Sequence, residues 1–179
     1  DYIGFVFAES RRRVTDEQAA RLRALLSPGI QAVGVFVNDD PTHIALLANR
    51  GVIDLIQLHG SESAAYIQRL RTMTAAPIIC ALRVGKQTDI KRAESNLVDF
   101  LLLDTYTKDA YGGSGRTFDW SLIGEVGKPY FLAGGLNESN IPRAMRTGAY
   151  GLDLSSGIET DGVKDAEKMR RVAALVKGG

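Results

Sequence analysis

Short apolar runs rich in β-favouring residues recur about every 20 to 30 residues along this chain, and helical patterns separate them. Strands of a parallel sheet are covered on both faces, so they read in a sequence as nearly continuous apolar runs. The alternation therefore predicts an α/β fold built on a parallel sheet. The runs are Tyr2–Phe7, Ala32–Val37, Asp54–His59, Pro77–Val84, Val98–Asp104, Tyr130–Gly134 and Tyr150–Leu154.

Helix start signals lie between these runs. Thr15 and Gln18 have the spacing of a capping box, in which each side chain bonds to the backbone of the other residue. An apolar stripe follows, which predicts the face that this first helix turns toward the core. The predicted inward residues are Ala19, Leu22, Leu25 and Leu26.

Three further helices have recognisable ends. Asp40-Pro41 combines a capping residue with proline at the first helical position, and Gly51 lies where that helix should stop. The other predicted ends are Asn137 with Glu138 as a start, Gly148 as its stop, and a last helix from about Asp165 to Lys177.

A chain that alternates in this way either closes into a barrel or remains an open sheet. Polar residues follow several different strands, where a (β/α)8 TIM barrel builds its active site, and glycine-rich turns follow the last two, where that fold commonly binds phosphate. No GxGxxG dinucleotide fingerprint follows a strand. The sequence thus predicts a single (β/α)-barrel domain over residues 1–179, with seven readable strands where a closed barrel needs eight.

The turns after the last two runs are the first candidate site. Gly134 and Gly135 let a phosphate approach the backbone, and N–H groups at a helix start donate to it. Ser155, Ser156 and Gly157 add hydroxyl donors and a further glycine. Two such turns after consecutive strands favour phosphate binding over plain chain reversals.

Asp104 closes the apolar run before a long glycine-containing segment, residues 106–115, which is either a mobile active-site loop or a plain connector. A carboxylate at a barrel mouth can lose solvent, which raises its pKa and makes it a usable general acid. A helix cap or an ion-paired structural aspartate is the alternative interpretation, and position alone does not separate the two.

Other polar residues also follow strands. Arg12, in the run Ser10–Arg13, has a guanidinium group that can clamp a substrate carboxylate, although most arginine runs are simply solvated. Asp153 can accept a hydrogen bond from a sugar hydroxyl, and Gln57 and His59 end a strand. A histidine at a strand end is more often structural than catalytic.

Composition limits the partners. The chain has 22 basic and 21 acidic residues, so nothing favours nucleic acid or membrane as a partner, and no apolar stretch is long enough to span a bilayer. Cys80 is the single cysteine, which excludes an internal disulfide and fits a reducing, cytoplasmic compartment. It lies in an apolar run and is expected to be a small inert hydrophobe, and with only two histidines beside it no metal site is expected.

Taken together, these motifs resemble the phosphoribosylanthranilate isomerase family of tryptophan biosynthesis, in the family's order and over essentially the whole chain. The resemblance rests most on the segment Gly112–Trp120. The other matching segments are Gly4–Phe7 with Ser10–Arg12, Gly34–Asn38, Gln57–Gly60, Leu103–Thr105, Gly134–Leu136 and Asp153–Gly157.

The resemblance implies a cofactor-free Amadori rearrangement of N-(5-phosphoribosyl)anthranilate, a small phosphosugar. Asp104 matches the family's general acid, which protonates the furanose ring oxygen. Arg12 matches the arginine that meets the anthranilate carboxylate. Asp153 matches an aspartate near the sugar, and the two Gly/Ser turns match the phosphate cradle.

The family's general base is a cysteine in a Lys-Ile-Cys-Gly-type motif at the end of the first barrel strand. This sequence lacks the motif: residues 1–4 match the approach to the second strand, and Cys80 falls in the fifth. We therefore expect strands 2–8, with the first βα unit missing, little activity from residues 1–179 alone, and a homodimer or domain-swapped assembly through the open strand edges. The alternatives are a non-catalytic phosphosugar-binding barrel or pseudo-enzyme and, less well matched, an indole-glycerol-phosphate synthase type of barrel.

Overall fold

A computed structural model of the protein describes residues 1–84, 90, 97–104 and 120–178. The predicted loop of residues 106–115, and the Gly112–Trp120 motif except for Trp120 itself, lie outside the described residues. The chain forms two compact units, Asp1–Ala81 with Ser95–Phe100, and Leu82–Glu94 with Leu101–Gly179.

All seven predicted strands are present and follow chain order in one sheet. Every pairing that the described residues define in this sheet is parallel. The predicted α/β class with a parallel sheet is therefore confirmed. The strands are β1 (Tyr2–Val6), β2 (Gln31–Phe36), β3 (Leu55–Leu58), β4 (Ile78–Arg83), β5 (Phe100–Asp104), β6 (Tyr130–Ala133) and β7 (Gly151–Leu152).

The described helices connect successive strands or follow the last one. The described α-helices are α1 (Asp16–Ala24), α2 (Pro41–Asn49), α3 (Ala64–Arg71), α4 (Ile141–Met145) and α5 (Ala166–Lys177), and short 3₁₀ turns cover Trp120–Ile123 and Ser156–Ile158. Their starts are capped as the sequence predicts. Thr15 and Gln18 form a complete capping box on α1, and Asp40 accepts a hydrogen bond from the Thr42 N–H at 2.9 Å at the start of α2.

Two helix predictions are wrong in detail. On α1 only Ala19 is buried, whereas Leu22 is 42% and Leu25 80% exposed. Leu25 is already the C-cap residue, so it lies beyond the regular turn that would carry it to the same face. The helix expected to open at Asn137 begins instead at Ile141. The Asn137 side chain accepts a hydrogen bond from the Ser139 N–H at 3.0 Å and closes a turn before the helix.

A small antiparallel hairpin was not predicted. It consists of β8 (Glu159–Thr160) and β9 (Val163–Lys164), joined by Asp161 and Gly162 with φ angles of 50° and 79°. Two central residues with positive φ make a type I′ turn, for which Asp-Gly is a favoured pair. The Asp161-Gly162 dipeptide was therefore a usable signal in the sequence.

The core of the first unit includes an aromatic cluster on the side of the sheet that α2 covers. Phe7 and Phe36 stack with ring centroids 4.9 Å apart, and His43 of α2 meets both rings edge-on. The imidazole is held from both sides, since Nδ1 lies 2.9 Å from Asp39 Oδ2 and Nε2 lies 3.1 Å from Asp16 Oδ1. This histidine therefore ties the start of α1 to the loop before α2.

In the second unit, Gly151 makes room for an aromatic ring. A Cβ on Gly151 would lie 2.7 Å from the ring of Phe131, its partner in the β6–β7 pairing. The Phe131 ring in turn meets Tyr150 edge-on, with centroids 5.5 Å apart. The packing of β7 against β6 therefore requires glycine at position 151, because any side chain there would overlap the Phe131 ring.

Candidate active site

The turn after β6 is fixed by two glycines in the left-handed region. Gly134 and Gly135 have φ angles of 91° and 66°, which L-residues with a side chain adopt only at a cost. The carbonyl oxygen of Gly135 accepts hydrogen bonds from the amide groups of Asn137 and Asn140, at 3.2 and 3.0 Å. The turn is thus held from its far side by α4 and the residues before it.

The turn after β7 packs directly on the turn after β6. A Cβ on Gly157 would overlap the carbonyl oxygen of Leu136 and would lie 2.9 Å from its carbonyl carbon and 3.0 Å from Asn137 Cα. Backbone therefore meets backbone at this point, with no space for a side chain. The structure brings the two predicted turns together, whereas their role in binding phosphate stays a prediction.

Asp104 and Asp153 lie on the same face of the sheet. Asp104 pairs with Ala133 in the register of β5 and β6. Leu152 pairs with Leu132, and the Asp153 N–H donates to the Leu132 carbonyl at 2.8 Å, so Asp153 continues that register beside Ala133. The two aspartates are therefore level with each other across β6, with Cα atoms roughly 10 Å apart by the spacing of two strands. Asp104 is half-buried and Asp153 is exposed.

The loop after β1 distinguishes Arg12 from its neighbours. Arg12 is half-buried, whereas Arg11 and Arg13 are exposed. The Arg12 N–H donates to Ser10 Oγ at 3.1 Å, and Arg13 forms an ion pair with Glu9. Of the three arginines in this run, Arg12 is thus the one that the loop turns away from bulk water.

Gln57 and His59 act as a pair at the end of β3. They are two residues apart and therefore point to the same side of the strand. Gln57 is only 7% exposed, and its Nε2 lies 3.1 Å from His59 Nδ1. A buried amide that holds an imidazole fixes the orientation of the ring.

Sequence reasoning missed the cluster that supports this strand end. Glu62 accepts hydrogen bonds from the N–H groups of Asn38 at 2.7 Å and Gly60 at 3.0 Å, and Asn38 Oδ1 accepts one from the Ser61 N–H at 2.9 Å. A Cβ on Gly60 would lie 2.6 Å from Asn38 Oδ1. The loops after β2 and β3 are therefore linked beside His59. Asn38 and Gly60 are the last residues of two of the matching segments, but Glu62 carries no signal of its own.

Cys80 fits the expectation of an inert side chain. Burial raises the pKa of its thiol, and the nearby Glu62 carboxylate adds to that rise. In the residues that the structure describes, no group of three or more His, Cys, Asp and Glu side chains is placed to hold a metal ion. None of the described helices has the length and apolar character needed to cross a membrane.

The site residues fall into two groups. Arg12, Gln57 and His59 belong to the first unit, and Asp104, Asp153 and both glycine-containing turns belong to the second. A (β/α)-barrel enzyme has consecutive parallel strands followed by polar residues, and it often has paired glycine-rich turns after its last two strands. This chain has both features.

The comparisons with known proteins name the family. A family model described as N-(5'phosphoribosyl)anthranilate (PRA) isomerase matches residues 1–174. The chain is 46% identical over 178 residues to N-(5'-phosphoribosyl)anthranilate isomerase of Endomicrobium trichonymphae, covering 99% of this chain and 88% of that one. The chain therefore belongs to the phosphoribosylanthranilate isomerase family, and its activity is that of the isomerase of tryptophan biosynthesis.

Solved structures agree on the fold. The isomerase of Thermotoga maritima has a TM-score of 0.85 at 35% identity, covering 100% of this chain and 89% of that one. A second Thermotoga structure, of monomers generated from the dimeric isomerase, has a TM-score of 0.82 at 32% identity, covering 100% of this chain and 88% of that one. An isomerase in complex with reduced 1-(o-carboxyphenylamino)-1-deoxyribulose 5-phosphate has a TM-score of 0.81 at 31% identity, covering 100% and 88%. These matches confirm the predicted barrel class.

Proposed function

We propose that the residues described above carry out an Amadori rearrangement, an aldose–ketose isomerisation of the intramolecular oxidoreductase type. The substrate is N-(5-phosphoribosyl)anthranilate and the product is 1-(2-carboxyphenylamino)-1-deoxyribulose 5-phosphate. The observation that carries the proposal is the level position of Asp104 and Asp153 on one sheet face, next to two turns in contact. A substrate held at those turns by its phosphate would have its sugar ring beside the two carboxyl groups.

Asp104 is the proposed general acid. Opening the furanose ring requires a proton on the ring oxygen as the bond to C1 breaks, and a half-buried carboxyl group at a strand end is suited to supply it. Asp153 is exposed at the next strand end but one and would accept a hydrogen bond from a sugar hydroxyl. The two aspartates thus have different roles, one moving a proton and one orienting the sugar.

The two turns are the proposed phosphate site. Positive φ angles at Gly134 and Gly135 make a tight turn at this strand end, where backbone N–H groups could donate to a phosphate without interference from side chains. Ser155 and Ser156 would add hydroxyl and backbone donors, and Gly157 permits the close contact that holds the second turn against the first.

Arg12 is the proposed contact of the anthranilate carboxylate. Arg12 can make two parallel hydrogen bonds to the carboxylate, because its guanidinium group is planar and has donors on one edge. Gln57 and His59 would contact the substrate as an oriented pair. These assignments for Arg12, Gln57 and His59 rest on the family resemblance together with the positions of the residues within their own unit.

The second proton transfer needs a base that takes a proton from C2. In the family this base is a cysteine of a Lys-Ile-Cys-Gly-type motif, and Cys80 in β4 does not match it. The raised pKa of Cys80 disfavours the thiolate and argues against a substitute role. We therefore propose that residues 1–179, assayed by themselves, catalyse this step poorly.

Two broader proposals accompany the reaction. Because the Thermotoga relative is dimeric, a homodimer is proposed. A cytoplasmic location is proposed from the single cysteine, which forms no disulfide within the chain.

A genetic experiment tests the function. The coding sequence of the intact protein is expressed in cells that lack this isomerase and require tryptophan. The wild-type protein should restore growth without tryptophan. The Asp104→Asn variant should not restore it. Failure of the soluble, folded wild-type protein to restore growth would contradict the proposal.

A further inference from the structure

The carbonyl group of Ser155 has an unusual partner. Ser155 begins the turn after β7 with φ −115° and ψ −87°, outside the regular helix and strand regions. Its carbonyl oxygen accepts a hydrogen bond from Lys164 Nζ at 2.8 Å, whereas the Ile158 N–H lies at 3.5 Å, the limit of a hydrogen bond. The short charge-assisted bond from Lys164 is therefore the stronger constraint on the Ser155 peptide group.

The hairpin places this lysine. Lys164 is the cross-strand partner of Glu159 in the β8–β9 pairing, and its Nζ lies 3.0 Å from Glu159 Oε1. The Glu159 side chain is only 5% exposed, so the ammonium group is held by a buried carboxylate while it bonds to Ser155. The hairpin joined by Asp161 and Gly162 thus places the Lys164 ammonium group against the carbonyl oxygen of Ser155.

The planarity of the peptide bond links this contact to the proposed phosphate site. The carbonyl of Ser155 and the N–H of Ser156 belong to the same planar trans peptide group and point in opposite directions. A carbonyl held toward Lys164 therefore turns the Ser156 N–H away from it. In the described part of the chain, no backbone carbonyl accepts a hydrogen bond from this N–H.

We propose that Lys164 is a positioning residue that aims the Ser156 N–H at the substrate phosphate by holding the Ser155 carbonyl from behind. Lys164 acts through the backbone and does not itself contact the phosphate, since it lies on the carbonyl side of the peptide group. The inference rests on the proposed phosphate site at the two turns and adds the element that orients one of its donors.

The test compares two ligands on the intact protein. Titration calorimetry measures the affinity for reduced 1-(o-carboxyphenylamino)-1-deoxyribulose 5-phosphate and for the same compound without its phosphate. The ratio of the two affinities isolates the contribution of the phosphate. The single change Lys164→Met would leave the buried Glu159 carboxylate without this ammonium group and endanger folding. The variant used is therefore Lys164→Met combined with Glu159→Gln, with folding checked by circular dichroism.

The double variant should lose about tenfold of the preference for the phosphorylated ligand, which corresponds to about 1.4 kcal/mol. Its affinity for the dephosphorylated ligand should not change. Glu159→Gln alone keeps Lys164 and should keep the preference, and so should Lys164→Arg, which retains a charged donor. Lys168→Met is the matched control, because Lys168 Nζ holds the neighbouring Glu159 carbonyl at 2.7 Å.

Two results would overturn the inference. One is a folded double variant with the wild-type preference, and the other is an equal loss in Lys168→Met, which would mean that any loosening of the hairpin has the same effect. A wild-type protein that binds both ligands equally would refute the phosphate site itself, and with it the role of Lys164. A loss confined to the Lys164→Met double variant supports both.

Discussion

Replacing Gly157 with Ala tests whether the two turns form one site. The new Cβ would lie 2.9 Å from the Leu136 carbonyl carbon and 3.0 Å from Asn137 Cα, and closer still to the Leu136 oxygen. Non-bonded carbon atoms prefer roughly 3.5–4.0 Å, and the overlap with the Leu136 oxygen is larger than that with either carbon, so the turns must separate by about 1 Å or more. Both sides of the contact are backbone, so neither can yield by changing a rotamer.

The expected cost follows from this overlap. Overpacking of this kind costs about 1–3 kcal/mol, which for a chain of this length lowers the melting temperature by roughly 2–12 °C. A displacement approaching 1 Å at a binding turn can reduce kcat/KM by up to about 10²-fold. Differential scanning calorimetry and a steady-state assay of the isomerisation measure the two effects.

Gly4→Ala is the matched control. A Cβ on Gly4 would lie 3.7 Å from Val35 Cγ2, which is an ordinary van der Waals contact, and Gly4 does not have a positive φ. Its melting temperature and activity should stay near those of the wild type. A Gly157→Ala protein with unchanged melting temperature and unchanged kcat/KM would show that the turns do not touch, which would refute the reasoning.

Three further predictions concern substitutions at single positions. Asp104→Asn should lower kcat by about 10²–10⁴-fold with a modest change in KM, and near-normal turnover in a steady-state assay would remove Asp104 as the general acid. Gly135→Val should weaken binding of the reduced product in calorimetry, because a side chain strains the positive φ of this turn. The far-ultraviolet circular dichroism should stay largely intact, because no atom lies within 4 Å of the new Cβ. Unchanged affinity would count against the site. Burial lowers the pKa of His43, but its hydrogen bonds to Asp39 and Asp16 outweigh this and raise the pKa above the usual 6.5. The stabilisation from these contacts is fully present below the unfolded-state pKa and is lost as the pH rises through the folded one. The melting-temperature difference between wild type and His43→Asn should therefore be larger at pH 5.5 than at pH 8.5, and a difference independent of pH would contradict the assignment.

The parts of the fold that the sequence predicts well are those that local chemistry decides. The runs that became β3, β5 and β6 are apolar because these parallel strands are covered on both faces. Thr15, Gln18 and Asp40 cap their helices through contacts within three residues, so their spacing alone is enough. The turns at Gly134 and Ser155 could be predicted as a pair because each follows a strand.

The parts that the sequence did not predict depend on contacts distant in the chain. Glu62 reaches Asn38 across 24 residues, and no local pattern marks that pairing. The contact of Gly157 with Leu136 likewise joins two turns that only the sheet brings together. The exposure of Leu25 is a different case. The apolar pattern runs past the end of α1 at Ala24, so Leu25 lies outside the helix that the pattern predicts.

The most direct test of the central claim is a turnover measurement on the intact protein. N-(5-phosphoribosyl)anthranilate is supplied, the loss of its anthranilate-type fluorescence is followed, and the product is identified by mass and chromatography. The account predicts conversion to 1-(2-carboxyphenylamino)-1-deoxyribulose 5-phosphate that depends on Asp104. Tight binding of the reduced product without any turnover of the substrate would contradict it and would make the protein a phosphosugar-binding barrel.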